Sequence, residues 1–152
     1  MRNLRLALFV VLVAGTGFAT GLLNPPGGWY AALAKPWFNP PNWVFAPVWS
    51  IAYLLVAVAG WRTWERDRDS RAMTLWWAQM ALNFLWPPIY FTMHRPAVAL
   101  AVILMLLVAI LAFIARQWSD DRMSAALFIP YAAWVGFASV LNFEIVRLNA
   151  PF

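Results

Sequence analysis

Residues 97–115 read AVALAVILMLLVAILAFIA, nineteen positions without one polar side chain. A helix that crosses the roughly 30 Å apolar core of a bilayer needs about 20 such residues, so this stretch specifies a membrane span. Two more apolar stretches flank it, residues 72–93 and 123–143. They are interrupted by Pro87-Pro88 and by Pro130, which spanning helices accept as kinks. Residues 43–61 and 6–23 complete a set of five, with Pro47 near the start of its span, where a missing amide proton does little harm. The expected fold class is an all-α integral membrane protein, a single domain over residues 1–152 built as a five-transmembrane-helix bundle.

Composition agrees with this. The chain is 64% hydrophobic and 11% charged, against a near-half apolar, quarter-charged norm, which excludes a water-soluble globule. Its 17% aromatic content, with eleven Trp and eleven Phe, excludes intrinsic disorder. The first span, preceded by Arg2 and Arg5, also has the shape of a signal peptide. Retention is favoured, because no clear small-x-small cleavage site follows and Gly17-x-x-x-Gly21 is a close-packing motif, usable within the bundle or between protomers. No cysteine and a single histidine, His94, leave no metal site and no thiol chemistry; His94 reads as a solvated or interfacial loop residue.

The formal charge of +5 is loop charge and not a nucleic-acid footprint. With five spans, Arg2, Arg5, Arg62, Arg66, Arg68, Arg71, Arg116 and Arg122 fall on one side, and Lys35, Arg95 and Arg147 on the other. Eight against three places the amino terminus inside and the carboxyl terminus outside, and leaves open which membrane holds the protein. The first loop, residues 24–42, reads NPPGGWYAALAKPWFNPPN and is stiff and apolar where a mere connector would be polar. That composition suggests a structured lid over the end of the bundle, the alternative being an aromatic belt at headgroup depth.

Ionisable groups are missing from the spans apart from Glu144 at the end of the fifth, which argues against proton relays and ion-coupled transport. Aromatic residues instead recur at helical spacing. Trp49 and Tyr53 share a face of the second span; Gln79, Asn83, Trp86 and Tyr90 form one stripe on the third; Tyr131, Trp134 and Ala138 follow on the fifth. If these faces converge they enclose an apolar cavity with a few polar anchors, as a small-molecule site requires. Packing alone, with the amides spent on interhelical hydrogen bonds, is the competing account.

Three segments carry a resemblance: Trp29-Tyr30 followed by KPWFNPPNWVFAPVW (35–49), ALNFLWPPIYF (81–91) and PYAAWVGFASVLNFEIVRLN (130–149). Over nearly its whole length the chain resembles the translocator protein family, also known as tryptophan-rich sensory or peripheral benzodiazepine receptor-like proteins. The resemblance implies a five-helix bundle, commonly a homodimer, with a first-loop lid over a pocket that takes porphyrins and drug-like apolar ligands. By position it implies ligand contacts from Trp49, Tyr53, Asn83, Trp86, Tyr90, Trp134 and Ala138, and lid roles for Tyr30 and Trp37. Phe143 stands where the sterol motif of animal members has tyrosine, so specific sterol binding is expected to be weak or absent. Pro87 stands near a position that is polar in some bacterial relatives.

The leading expectation is a membrane receptor or carrier for tetrapyrroles with a regulatory or sensory role. Light- and oxygen-dependent degradation of bound porphyrin is an enzymatic alternative, needing no conventional catalytic site, with Trp49 or Trp134 as redox partners and porphyrin as substrate. A structural membrane adaptor is a third. No obligatory cofactor is expected, and the small residues Ala72, Ala78 and Ala81 on the third span are the expected dimer surface.

Overall fold

A computed structural model of the chain describes residues 1–151 and is helical throughout, with no strand among the described residues. Helix α1 spans Arg2–Leu23, α2 Gly27–Ala32, α3 Asn42–Asp67, α4 Arg71–Pro87, α5 Pro96–Asp120 and α6 Arg122–Asn149. A π-helical turn, Pro88–Thr92, continues α4. Four helices, α1, α3, α5 and α6, are each long and apolar enough to cross a membrane. Large apolar side chains such as Leu8, Val11, Phe18, Leu22, Val108 and Leu111 face outward, a surface that water would penalise and lipid tails solvate.

The stretch 72–93, expected as one span, is divided. Helix α4 has 17 residues, a length of about 26 Å at 1.5 Å per residue. Pro87 and Pro88 offer no amide protons to the carbonyls one turn back, so the ladder widens and Met93 N–H reaches back to Pro88 O at 2.8 Å. The other four helices run past the apolar stretches that announce them, α3 by six residues to Asp67 and α6 by six to Asn149. Polar turns prolong a helix once its apolar part has nucleated it, and hydropathy does not register them.

Around the bundle, α3 packs between α1 and α6, α5 packs between α6 and α4, and α4 closes the ring on α1 and α3. Two glycines set the closest approaches. Gly17 on α1 admits the Tyr53 ring and Gly60 on α3 admits the Trp76 indole; a Cβ at either would fall within the ring it faces. Gly17 therefore works inside the bundle, whereas Gly21 is exposed with nothing near it. Trp76, fully buried, donates from Nε1 to Val56 O at 2.9 Å, so its polar edge is satisfied in an apolar core.

Ion pairs clasp one end. Arg5 meets Glu65 at 2.5 Å, and Arg62 makes a two-pronged contact with Asp121 at 3.1 and 2.8 Å, with Ser124 Oγ donating to the same carboxylate at 2.6 Å. Burial opposes charge on Asp121, yet the bonds from Arg62 and Ser124 and the charge of Arg62 outweigh it and hold the carboxyl at about 2, below its ordinary 3.8. A lowered folded-state value stabilises above the unfolded value and is lost as pH falls through the folded one. The thermal midpoint should accordingly drop between about pH 4 and pH 2. Asp121→Asn should show a shallower drop over the same window; equal slopes in a detergent melting series would refute the assignment.

Candidate functional site

Aromatic side chains from α3 and α6 meet in the part of the bundle nearer loop one, where Phe38 lies 6.2 Å from Phe137. Trp49 lies 5.4 Å from Tyr53, 6.5 Å from Tyr131 and 6.4 Å from Trp134 between ring centroids, the two indoles crossing at 86°. Phe45, one turn before Trp49, sits 5.8 Å from Trp134, and Phe137, three residues beyond Trp134, 5.6 Å from it. Tyr53 leans toward Phe84 of α4 at 6.0 Å. A small apolar cavity of about 100 Å³ opens beside this group, lined by Val48, Ile51, Ala52, Leu55, Pro130, Tyr131 and Trp134. Ala138, one turn on from Trp134, is partly buried against the same core.

The second group lies toward the α2 end. Trp86 and Tyr90 stack at 4.6 Å and 24°, and Tyr90 is buried beneath loop one, with Trp29 5.9 Å and Tyr30 6.2 Å away. The loop is held by local chemistry. Lys35 Nζ donates to the carbonyls of Tyr30 and Leu33 at 2.6 and 3.1 Å, closing the end of α2, and lies 4.5 Å over the Tyr30 ring. Asn149 of α6 exchanges two 2.8 Å hydrogen bonds with the backbone of Ala34. Trp29 stacks at 4.3 Å on His94, an exposed residue with φ of 54°.

Most of the polar anchors that the spacing pointed to are already engaged. Asn83 Nδ2 donates to Tyr131 Oη at 2.6 Å, and that hydroxyl donates to Gln79 Oε1 at 2.8 Å. Trp86 Nε1 donates to Asn142 Oδ1 at 3.0 Å, and Asn142 donates to Pro96 O at 2.9 Å. For Asn83 and Trp86, interhelical bonding thus occupies the groups expected to face a ligand. In this part of the bundle two buried donors are left without an acceptor among the described residues, the Trp134 indole N–H and the Gln79 amide. Buried unpaired donors are costly, so each marks a place where a partner would be welcomed.

The structure therefore brings Trp49, Tyr53 and Trp134 together, gathers Trp86, Tyr90 and Tyr30 in a second cluster, and bonds Asn83 across to α6. Trp37 stands apart, 95% exposed and touching its neighbour Phe38 at 5.5 Å. Phe45 and Phe137 join the site although the sequence assigned them no role in it, and Tyr131, expected only on the fifth-span stripe, stands among the rings. Their spacing from Trp49 and Trp134 carries the signal, since each lies three or four residues away on the same helix face. Asn149 and Lys35 had no such signal, because their partners are backbone groups distant in sequence or set by a local turn.

The Tyr131 hydroxyl joins α4 to α6 as both acceptor and donor. Tyr131→Phe would strand Asn83 and Gln79 in the membrane interior, at an expected cost of about 1–3 kcal/mol. A melting midpoint unchanged from wild type would show that these amides find other partners.

The TspO/MBR family profile matches residues 8–148. A tryptophan-rich sensory protein of Cereibacter sphaeroides is 39% identical over 149 residues, covering 97% of this chain and 94% of that one. The tryptophan-rich protein TspO of Archaeoglobus fulgidus is 36% identical over 154 residues, covering 99% and 100%. The human translocator protein is 32% identical over 126 residues, covering 80% and 75%.

Proposed function

The chain belongs to the TspO/MBR family, and from that premise we propose that it is a membrane receptor or carrier for planar tetrapyrroles. The observation that carries this is the meeting of Trp49, Tyr53, Tyr131 and Trp134 at the α3–α6 contact, with the Trp134 N–H lacking an acceptor. Indole and phenol faces suit a flat conjugated ring, and a buried N–H suits a carboxylate or carbonyl at its edge. Relatives named for sensing and translocation, such as those of Cereibacter sphaeroides and humans, agree with a receptor role.

The neighbouring cavity of about 100 Å³ is smaller than the ~300 Å³ at the lower end of ligand pockets. Binding therefore includes a separation of the α3 and α6 rings, which touch edge to face and carry no hydrogen bond between them. In this reading α4 and its π-helical turn together form a fifth crossing, and loop one, tied to α6 through Asn149 and Ala34, is the lid over the Trp86–Tyr90 stack. The amino terminus lies inside in this reading, supported by the excess of basic residues on its side of the spans. A homodimer would use the exposed Ala78 and Ala81 on α4; Ala72 is buried and takes no part.

Titration of the detergent-solubilised protein with protoporphyrin, followed by the porphyrin absorbance shift and tryptophan quenching, tests the proposal. Saturable binding at one porphyrin per chain is expected, and non-saturable partitioning equal to that of empty micelles would overturn it. A second reading, photo-oxidation of the bound porphyrin by dioxygen, is favoured by the oxidisable ring of Trp49 with those of Tyr131 and Trp134 at 6.5 and 6.4 Å from it. Illumination in air that bleaches bound porphyrin no faster than free porphyrin would remove it.

A further inference from the structure

At the opposite end of the bundle from loop one lies a second cavity, about 210 Å³, lined by Arg2, Trp61, Arg62, Glu65, Arg66 and Asp121. At ~30 Å³ per water it has room for roughly seven waters or a tetrahedral anion with part of its hydration. Three elements build it: the first turn of α1, the last turns of α3 and the α5–α6 junction. On α3 the lining residues Trp61, Arg62, Glu65 and Arg66 fall at i, i+1, i+4 and i+5, one face of the helix.

Charge in this cavity is unbalanced in one direction. Both carboxylates are already neutralised, Asp121 by Arg62 and Ser124, Glu65 by Arg5, which approaches from outside the lining. Arg2 and Arg66 have no ion-pair partner among the described residues, and the indole N–H of Trp61 has no acceptor. Two uncompensated guanidinium groups thus face one polar hollow whose walls are held by ion pairs. Guanidinium groups present planar forks that match the oxygens of a phosphate. The site lies at the ends of α1 and α3, two helices long and apolar enough to cross a membrane, and lipid phosphates gather where such helices end.

We propose that this cavity is a binding site for a phosphate-bearing anion, held chiefly by Arg2 and Arg66, separate from the aromatic site near loop one. The phosphate is that of an anionic lipid headgroup or a soluble phosphate, and the two are separable by experiment. Full-length protein in neutral detergent is titrated with phosphatidylglycerol, read by native mass spectrometry and by the shift in melting midpoint, with and without inorganic phosphate. Saturable uptake of one phosphatidylglycerol is expected, weakened at least tenfold by Arg2→Gln with Arg66→Gln. Arg68→Gln with Arg71→Gln, the same charge change outside the cavity, should weaken it less than twofold.

Neither Arg2 nor Arg66 is bonded to another side chain, so the paired variant should melt at the wild-type midpoint without ligand and retain wild-type porphyrin affinity. Competition by millimolar inorganic phosphate assigns the site to soluble phosphates as well as lipid; uptake unaffected by phosphate assigns it to the lipid headgroup. Equal loss in the two paired variants would reduce the effect to surface charge and overturn the proposal. So would the absence of saturable binding of both probes to the wild-type chain.

Discussion

Gly60→Val is expected to destabilise the bundle by about 3 kcal/mol, the upper part of the range for overpacking a tight core. A Cβ at position 60 would fall within the Trp76 indole, and that ring is itself fully buried. It is also pinned by its hydrogen bond to Val56 O, one turn before Gly60 on the same helix. The indole cannot retreat without leaving its N–H unpaired in an apolar interior, so overpacking and the loss of a buried bond arrive together. Gly15→Val is the matched control, because nothing lies within 4 Å of a Cβ built there. Melting curves in one detergent should separate the two variants by several degrees; coincident midpoints would mean that the α3–α4 contact is far looser than its geometry.

Trp134→Ala is expected to weaken protoporphyrin binding about thirtyfold, and Trp49→Ala by a comparable factor. A well-placed buried tryptophan contributes on the order of 2 kcal/mol to binding, and each 1.4 kcal/mol is tenfold in affinity. Trp134 supplies both the ring face and a buried indole N–H without an acceptor. Trp134→Phe keeps a ring and removes the donor, so a loss of a few fold, between those of wild type and alanine, is expected. Trp118→Ala removes an indole that is half exposed and lies near the end of α5 away from loop one, and it should leave affinity unchanged. Equal affinities in wild type, Trp134→Ala and Trp49→Ala would remove the α3–α6 aromatics from the site and leave the Trp86–Tyr90 group under loop one as the place to look.

Much of the architecture was legible because it depends on solvent preference position by position. Residues 97–115 could only lie in an apolar medium, and α5 is found there with polar ends added. The double proline forecast a disturbance in the third stretch, though not that the helix would widen into a π turn there. The aromatic stripes on α3 and α6 were visible from spacing, and those residues do meet. On α4 both accounts of the stripe had stood open, and Asn83 and Trp86 are bonded to Tyr131 and Asn142. Spacing shows which side chains share a face, but not whether the facing helix supplies a partner for them.

Membrane residence, the helical spans, the basic end and the aromatic faces follow from the sequence alone, because each is a sum of local terms: transfer free energy, periodicity and charge. Only the tertiary structure decided that Gly17 and Gly60 are sockets for rings, that Trp134 and Gln79 keep unpaired donors, and that Arg2 and Arg66 face a hollow without counter-charge. Those facts are properties of pairs of residues far apart in the chain. They exist only once helix crossing and rotation are set, and no one-dimensional pattern encodes which donor the packing will leave without an acceptor.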